Sequence, residues 1–167
     1  PTCGSTATRA ADIASITGSN FTSFYKQSEG TVFADATGKG SDVPSSDFQS
    51  LVSITDGTNA NRIELGYSTA LVAHMGIRNG NTLTTNFNPA RANDQVKLAG
   101  AFKSNDSALS IDGASVLTDA TVTIPTTNEL DIGGSNESDI KEYSGTIKRL
   151  SYWNDRLSNE HLTKLTS

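Results

Sequence analysis

The run Lys97-Leu-Ala-Gly-Ala-Phe-Lys-Ser-Asn-Asp-Ser-Ala-Leu-Ser-Ile-Asp-Gly-Ala-Ser-Val116 reads as three strands and two turns. From Gln95 to Phe102, Val96, Leu98 and Gly100 alternate with Lys97, Ala99 and Ala101, the period of two that gives a strand two distinct faces. Ser104 to Ser107 is a turn, Ala108 to Ile111 returns, Asp112-Gly113 turns again, and Ser115 to Leu117 returns once more. The same rhythm continues toward the N-terminus. Leu71 to Arg78 is a strand, Asn79-Gly80-Asn81 a strong turn, and Thr82 to Thr85 pairs back. Phe48 to Thr55 and Arg62 to Tyr67 form a hairpin around residues 56–61, and Gly30 to Asp35 is a strand with Val32 and Ala34 on one face and Thr31 and Phe33 on the other. Phe21, Phe24 and Tyr25 suit one helical turn capped by Ser19 or Asn20, and Ala11 to Ile16 is a first strand. Toward the C-terminus, Thr121 to Ile124 and Leu130 to Ile132 are short strands and Gly145 to Trp153 a long one. Ser158 caps a short helix with Leu162 and Leu165 as its apolar positions. Residues 39–47, 86–93 and 135–139 read as loops.

Ten to twelve short strands at about 8–12-residue intervals predict an all-β, two-sheet antiparallel jelly-roll sandwich with a short C-terminal helix. The composition agrees. Serine and threonine make up about a quarter of the 167 residues, and hydrophobic residues only 35%. Threonine suits strands, while glycine, asparagine and serine suit turns. The net charge of −5 argues against a nucleic-acid-binding domain, which needs a basic face. One cysteine, Cys3, excludes an internal disulfide framework, and two histidines, His74 and His161, leave little material for His-based catalysis. No stretch reaches the roughly 18 apolar residues of a membrane-spanning helix. The chain opens at Pro1 with no methionine, and is expected to be part of a longer protein, with residues 1–10 as a lead-in and residues 11–167 as one sandwich domain.

The hairpin at Lys97–Val116 resembles one found in laminin G-like and pentraxin-like sandwiches. Leu130-Asp-Ile-Gly133 resembles their next strand, and Gly145-Thr-Ile-Lys-Arg-Leu-Ser-Tyr-Trp-Asn-Asp-Arg-Leu-Ser158, with Leu162 and Leu165, resembles their closing strand and helix. The fold this resemblance implies is the concanavalin A-like jelly roll. Thr8 to Thr17, followed by Glu29-Gly-Thr-Val-Phe33, is similar to modules of bacteriophage tail-fibre and virion proteins, as is the Tyr152-Trp153…Arg156-Leu157-Ser158 ending. That resemblance implies a virion or extracellular setting, a host-surface glycan as partner and a homotrimer within a fibre.

Carbohydrate recognition uses an aromatic ring against sugar C–H faces and planar polar groups for the hydroxyls. Tyr152, Trp153 and Tyr67 are the candidate rings, with Tyr25 as a further one, and Arg62, Arg78 and Arg91 are candidate partners for an acidic glycan. Adjacent on a strand, Tyr152 and Trp153 face opposite sides of the sheet. Calcium is a candidate cofactor, since hard cations take oxygen ligands. Asp56, Asn59 and Asn61 in one loop, and Asn136, Glu137 and Asp139 in another, are the candidate ligands, although neither loop matches a defined calcium motif and turn formation alone explains such residues.

Glu129 and Asp131 have the i, i+2 spacing of paired carboxylates in glucanases of this fold, but glycines stand where a third carboxylate is required. The expected function is therefore non-catalytic glycan binding. A glucanase-type enzyme and a purely structural decoration domain are the two alternatives.

Overall fold

The computed structural model describes residues 14–38, 48–68, 70, 72–89, 94–134 and 140–167. The lead-in, Cys3, Arg91, Asn136, Glu137 and Asp139 lie outside the described residues. Two sheets face each other. The seven-stranded sheet holds β1 (Ala14–Thr17), β10 (Glu129–Ile132), β3 (Phe48–Thr55), β4 (Arg62–Tyr67), β5 (Ala73–Asn79) and β6 (Thr82–Phe87) in that spatial order, with β11 (Ile140–Glu142) running parallel to the start of β3. The five-stranded sheet runs β12 (Thr146–Trp153), β2 (Glu29–Thr37), β7 (Gln95–Lys103), β8 (Ser107–Ile111) and β9 (Leu117–Asp119). Every other pairing is antiparallel.

The alternation read from the sequence becomes the core. Val32, Ala34, Ala36, Val96, Leu98 and Leu109 from one sheet meet Ile54, Ile63, Leu65, Met75, Ile77 and Leu130 from the other, all buried. The opposite face of the five-stranded sheet is apolar as well. Phe33, Ala99, Ala101 and Ala108 form a second cluster, covered by Leu162 of α2 (Asn159–Thr166) and flanked by Trp153. Ser158 caps α2 as its sequence position predicts, accepting from the His161 amide. Ser158→Ala is expected to cost about 1 kcal/mol, measured by chemical denaturation. An unchanged midpoint would show that α2 needs no cap to stay on the sheet.

Several sequence expectations are corrected. The first helical turn, α1 (Gly18–Thr22), has Thr17 as its N-cap and no side-chain cap bond, so Ser19 and Asn20 lie inside the helix. The third strand of the 97–119 run is Leu117–Asp119, two residues later than expected. Thr121 to Ile124 is no strand. This segment leaves the edge strand β9 and reaches β10 in the other sheet, and its buried Val122 and half-buried Ile124 pack into the core. It is fastened along the way. Asn105 donates its amide to the Val122 carbonyl, Gln27 donates to the Pro125 carbonyl, and Thr127 donates its hydroxyl to Tyr25 Oη.

Candidate functional site

The inward face of the seven-stranded sheet is apolar, so its outward face receives every alternate residue, and here those residues are polar and charged. Strand pairing lays them in rows. Glu129, Thr55, Arg62 and Arg78 lie side by side on β10, β3, β4 and β5. In the next row stand Ser15, Asp131, Ser53, Glu64, Gly76 and Asn86. Gly66 and His74 are paired one row further on.

The middle of this face is closed. Arg62, Glu64 and His74 are only 1%, 5% and 3% exposed. Glu64 Oε2 stands 2.9 Å from Arg62 Nε, an ion pair whose alignment is too poor to count as a hydrogen bond. Glu64 Oε1 stands 3.1 Å from His74 Nε2, and the Phe48 ring lies 5.1 Å from the imidazole. One carboxylate thus serves two basic side chains. Buried polar atoms without a hydrogen-bond partner gather around it: Ser50 Oγ, Ser53 Oγ and His74 Nδ1.

Arg78 differs from its neighbour. It is half-buried, it sits directly opposite Arg62 across β4 and β5, and no ion pair holds it among the described residues. Like charges placed directly across a strand pair are mutually unfavourable. Glu64 offsets Arg62, and Arg78 is the half-buried positive charge of the row with no ion pair among the described residues.

Glu129 and Asp131 share this outward face as their spacing predicts. Asp131 is 1% exposed and accepts a 2.6 Å hydrogen bond from Ser15. Burial first, then the neighbouring Asp131 and Asp56 carboxylates, push the Glu129 carboxyl above its ordinary range. Glu64, two strands from Asp131 in the same row, is a third carboxylate that the sequence reading did not weigh, and it is held by Arg62 and His74.

In the candidate calcium loop, the side chains of Asp56 and Asn61 are engaged by protein donors. Asp56 Oδ1 accepts from the Thr58 amide and hydroxyl, its Oδ2 accepts from Asn61 Nδ2, and Asn61 Oδ1 accepts from the Gly80 amide. Burial raises the Asp56 carboxyl's pKa, but the hydrogen bonds from Thr58 and Asn61 outweigh it and hold the group below its ordinary value. The Asp56 bonds close an Asx turn, and Asn59, the third candidate, accepts from Arg62 through its main-chain carbonyl at 3.4 Å. Among the described residues no group of three or more His, Cys, Asp or Glu side chains is arranged to hold a metal.

The aromatic candidates sit elsewhere. Tyr67 points into the core, 1% exposed, with its ring parallel to that of Tyr143 at 6.0 Å. Tyr152 and Trp153 do face opposite sides of β12. Tyr152 packs with Phe24 and Tyr25 against the main core, and Trp153 packs with the second cluster under α2. Burial pushes the Tyr25 hydroxyl up to about 12, although it is hydrogen-bonded to Thr127. The structure therefore brings together Arg62 and Arg78, and leaves Tyr67, Tyr152 and Trp153 on other faces. Sequence reasoning missed Glu64 and His74. Their signal was present: on β4 and β5 each alternates with apolar residues, in phase with Arg62 and Arg78.

No protein-family model matches the chain, and no curated protein sequence does. Solved structures do. The CBM40 of Ruminococcus gnavus IT-sialidase, bound to α2,6-sialyllactose, superposes with a TM-score of 0.68 at 19% identity, covering 84% of both chains. NanB sialidase from Streptococcus pneumoniae matches over 92% of this chain and 27% of its own, with a TM-score of 0.65 and 16% identity. A heptameric SAP-like pentraxin from Limulus polyphemus gives a TM-score of 0.58 at 13% identity, over 83% of this chain and 70% of its own. At these identities the likeness shows the fold alone, a two-sheet jelly roll.

Proposed function

We propose that this domain is a non-catalytic module that binds an acidic glycan on the outward face of its seven-stranded sheet, with Arg78 receiving the sugar's carboxylate. The observation that carries the reading is the cross-strand pair Arg62–Arg78, in which Arg62 is offset by Glu64 while Arg78, half-buried, has no ion pair among the described residues. A guanidinium presents a planar fork that matches a carboxylate with two parallel hydrogen bonds. An anion placed there also relieves the repulsion between the two arginines. Asn86 and Glu129, on the same face, are polar partners for hydroxyls. Sialyllactose, the ligand in the CBM40 structures of the same fold, carries such a carboxylate and is the natural first probe.

The similarity of Thr8–Thr17 and Glu29–Phe33 to bacteriophage tail-fibre modules supports a finer version of this reading. The glycan would then lie on a host surface, and the domain would be presented outside the cell, on a virion, by a homotrimeric fibre.

Calorimetric titration with sialyllactose and with lactose tests the proposal. Sialyllactose is expected to bind and lactose not to bind. Arg78→Ala is expected to weaken binding about 10–100-fold, the equivalent of a charged hydrogen bond of about 1.5–3 kcal/mol, while leaving the unfolding midpoint unchanged. Equal affinity for both sugars, or full binding by the variant, would overturn the assignment. Absence of binding to any acidic glycan would favour the architectural role.

A further inference from the structure

The sequence contains three Asx-Gly pairs: Asp56-Gly57, Asn79-Gly80 and Asp112-Gly113. Such pairs are chemically labile, because the glycine amide nitrogen can attack the preceding side-chain carbonyl and no Cβ hinders its approach. In this fold all three glycine amides donate to a side-chain oxygen. Gly57 reaches Thr55 Oγ1 at 3.0 Å, Gly80 reaches Asn61 Oδ1 at 2.9 Å, and Gly113 reaches Thr166 Oγ1 at 3.1 Å.

The attacked side chains are held unequally. Asp56 accepts from Thr58 and Asn61, and Asp112 Oδ1 accepts from the Lys97 amide at 2.9 Å. Among the described residues no hydrogen bond holds the Asn79 carboxamide. An amide is also a better acyl group than an ionised carboxylate, since ammonia can leave from it.

We infer that Asn79 is this domain's site of spontaneous deamidation and that Asn61 is the gate that controls it. The Gly80 nitrogen gives its proton to solvent base and bonds to Asn79 Cγ. The Cγ–Nδ2 bond then breaks, ammonia leaves with a proton from solvent, and a five-membered imide remains. Water opens either imide carbonyl, giving aspartate or isoaspartate, and nothing is oxidised or reduced. Asn61 opposes the first step twice over. Its oxygen stabilises the Gly80 N–H against deprotonation, and it fixes the nitrogen in place. Its amide orientation is set by its two partners, since the Gly80 amide needs an acceptor and the Asp56 carboxylate needs a donor.

Asn61 thereby joins two hairpin tips, the β3–β4 loop and the β5–β6 turn, a link reinforced by the Asn81 amide on the Ala60 carbonyl at 3.0 Å. The turn has little tolerance for change. Gly80 and Asn81 both have left-handed φ, 58° and 68°, as a tight two-residue hairpin turn requires. Isoaspartate would insert a methylene into the backbone at this turn, immediately after Arg78.

Peptide mapping by mass spectrometry, after incubation at physiological temperature and mildly alkaline pH, tests the inference. Asn61→Ala is expected to deamidate at Asn79 at least about fivefold faster than the unsubstituted protein, the ratio that one hydrogen bond's net contribution corresponds to. Isoaspartate at Asp112-Gly113 is expected to form at the same rate in both proteins, which separates loss of the gate from general unfolding. Equal rates at Asn79, or equal acceleration at both sites, would overturn the inference. Should N61A fail to fold, hydrogen exchange on the unsubstituted protein gives a second reading. The Gly80 amide is expected to exchange as slowly as that of Gly113, and exchange at the free-peptide rate would sink the idea.

Discussion

Glu64→Ala is expected to destabilise the domain by about 3–5 kcal/mol, the usual result of breaking a buried ion pair from one side. The substitution removes the carboxylate that stands 2.9 Å from Arg62 and 3.1 Å from His74, both almost wholly excluded from solvent. Neither base has a short route to water, so the charge of Arg62 stays in place while the carboxylate 2.9 Å from it goes. The size of the effect belongs to the mismatch, not to the worth of the pair. Replacing Arg62 and Glu64 together with apolar residues of similar volume, as in R62M/E64L, is expected to recover most of the loss. Urea denaturation of the two variants checks both statements. A loss under about 1 kcal/mol for Glu64→Ala would mean that the cluster is solvated and the face open.

Gly66→Ala, at the other end of the same strand, is expected to cost about 3 kcal/mol or more, at or beyond the upper end of ordinary overpacking. A Cβ at this position would stand 2.0 Å from the Gln49 carbonyl oxygen and 3.0 Å from the Ser50 Cα. Both are backbone atoms of β3, at the register shift between Ser50 and Val52, so no side-chain rotation relieves the clash. Either the bulge moves or the strands separate. Because His74 pairs with Gly66 from β5, the disturbance also reaches the buried cluster. Near-native stability of Gly66→Ala would show that the bulge rearranges at little cost. Together the two variants separate the charge compensation on this face from the backbone approach that supports it.

The face is thus built on long-range pairing, and the pattern of what was legible in the sequence follows from that. The Phe48–Thr55 and Arg62–Tyr67 strands were readable to the residue because both alternate and a polar loop joins them. The Ser158 cap and α2 were readable for the same reason, since a cap and its helix are neighbours in the chain. The caps assigned to Ser19 and Asn20 failed because α1 begins earlier, directly from β1. The Thr121–Ile124 segment failed for a different reason. Its apolar residues at every second position are those of a strand, but both sheets already end beside it, and the residues serve as a plug.

The candidate site divides in the same way. Alternation alone put Arg62 on one face of its strand and, through the hairpin that follows, Arg78 on one face of another. It could not show that the two stand opposite each other, because register across β4 and β5 is set by the packing of Ile63, Leu65, Met75 and Ile77 beneath them. Nor could it separate a core tyrosine from a sugar-binding one. Tyr67 and Tyr152 have the composition of a glycan site, but Tyr67 is buried in the core and Tyr152 packs half-buried against it.

What the sequence by itself determined was a β-rich domain of short strands, polar turns and one capped helix, with basic residues and no cysteine or histidine cluster for catalysis. These are properties of neighbours in the chain, where period and turn chemistry act over a few residues. Only the tertiary structure decided which strands adjoin. It inserted β10 between β1 and β3, buried Glu64 between Arg62 and His74, placed half-buried Arg78 opposite Arg62, and made Asn61 a link between two hairpin tips. The physical reason is that burial and pairing across a sheet are fixed by the fit of one apolar face against another, and residues far apart in sequence share that constraint.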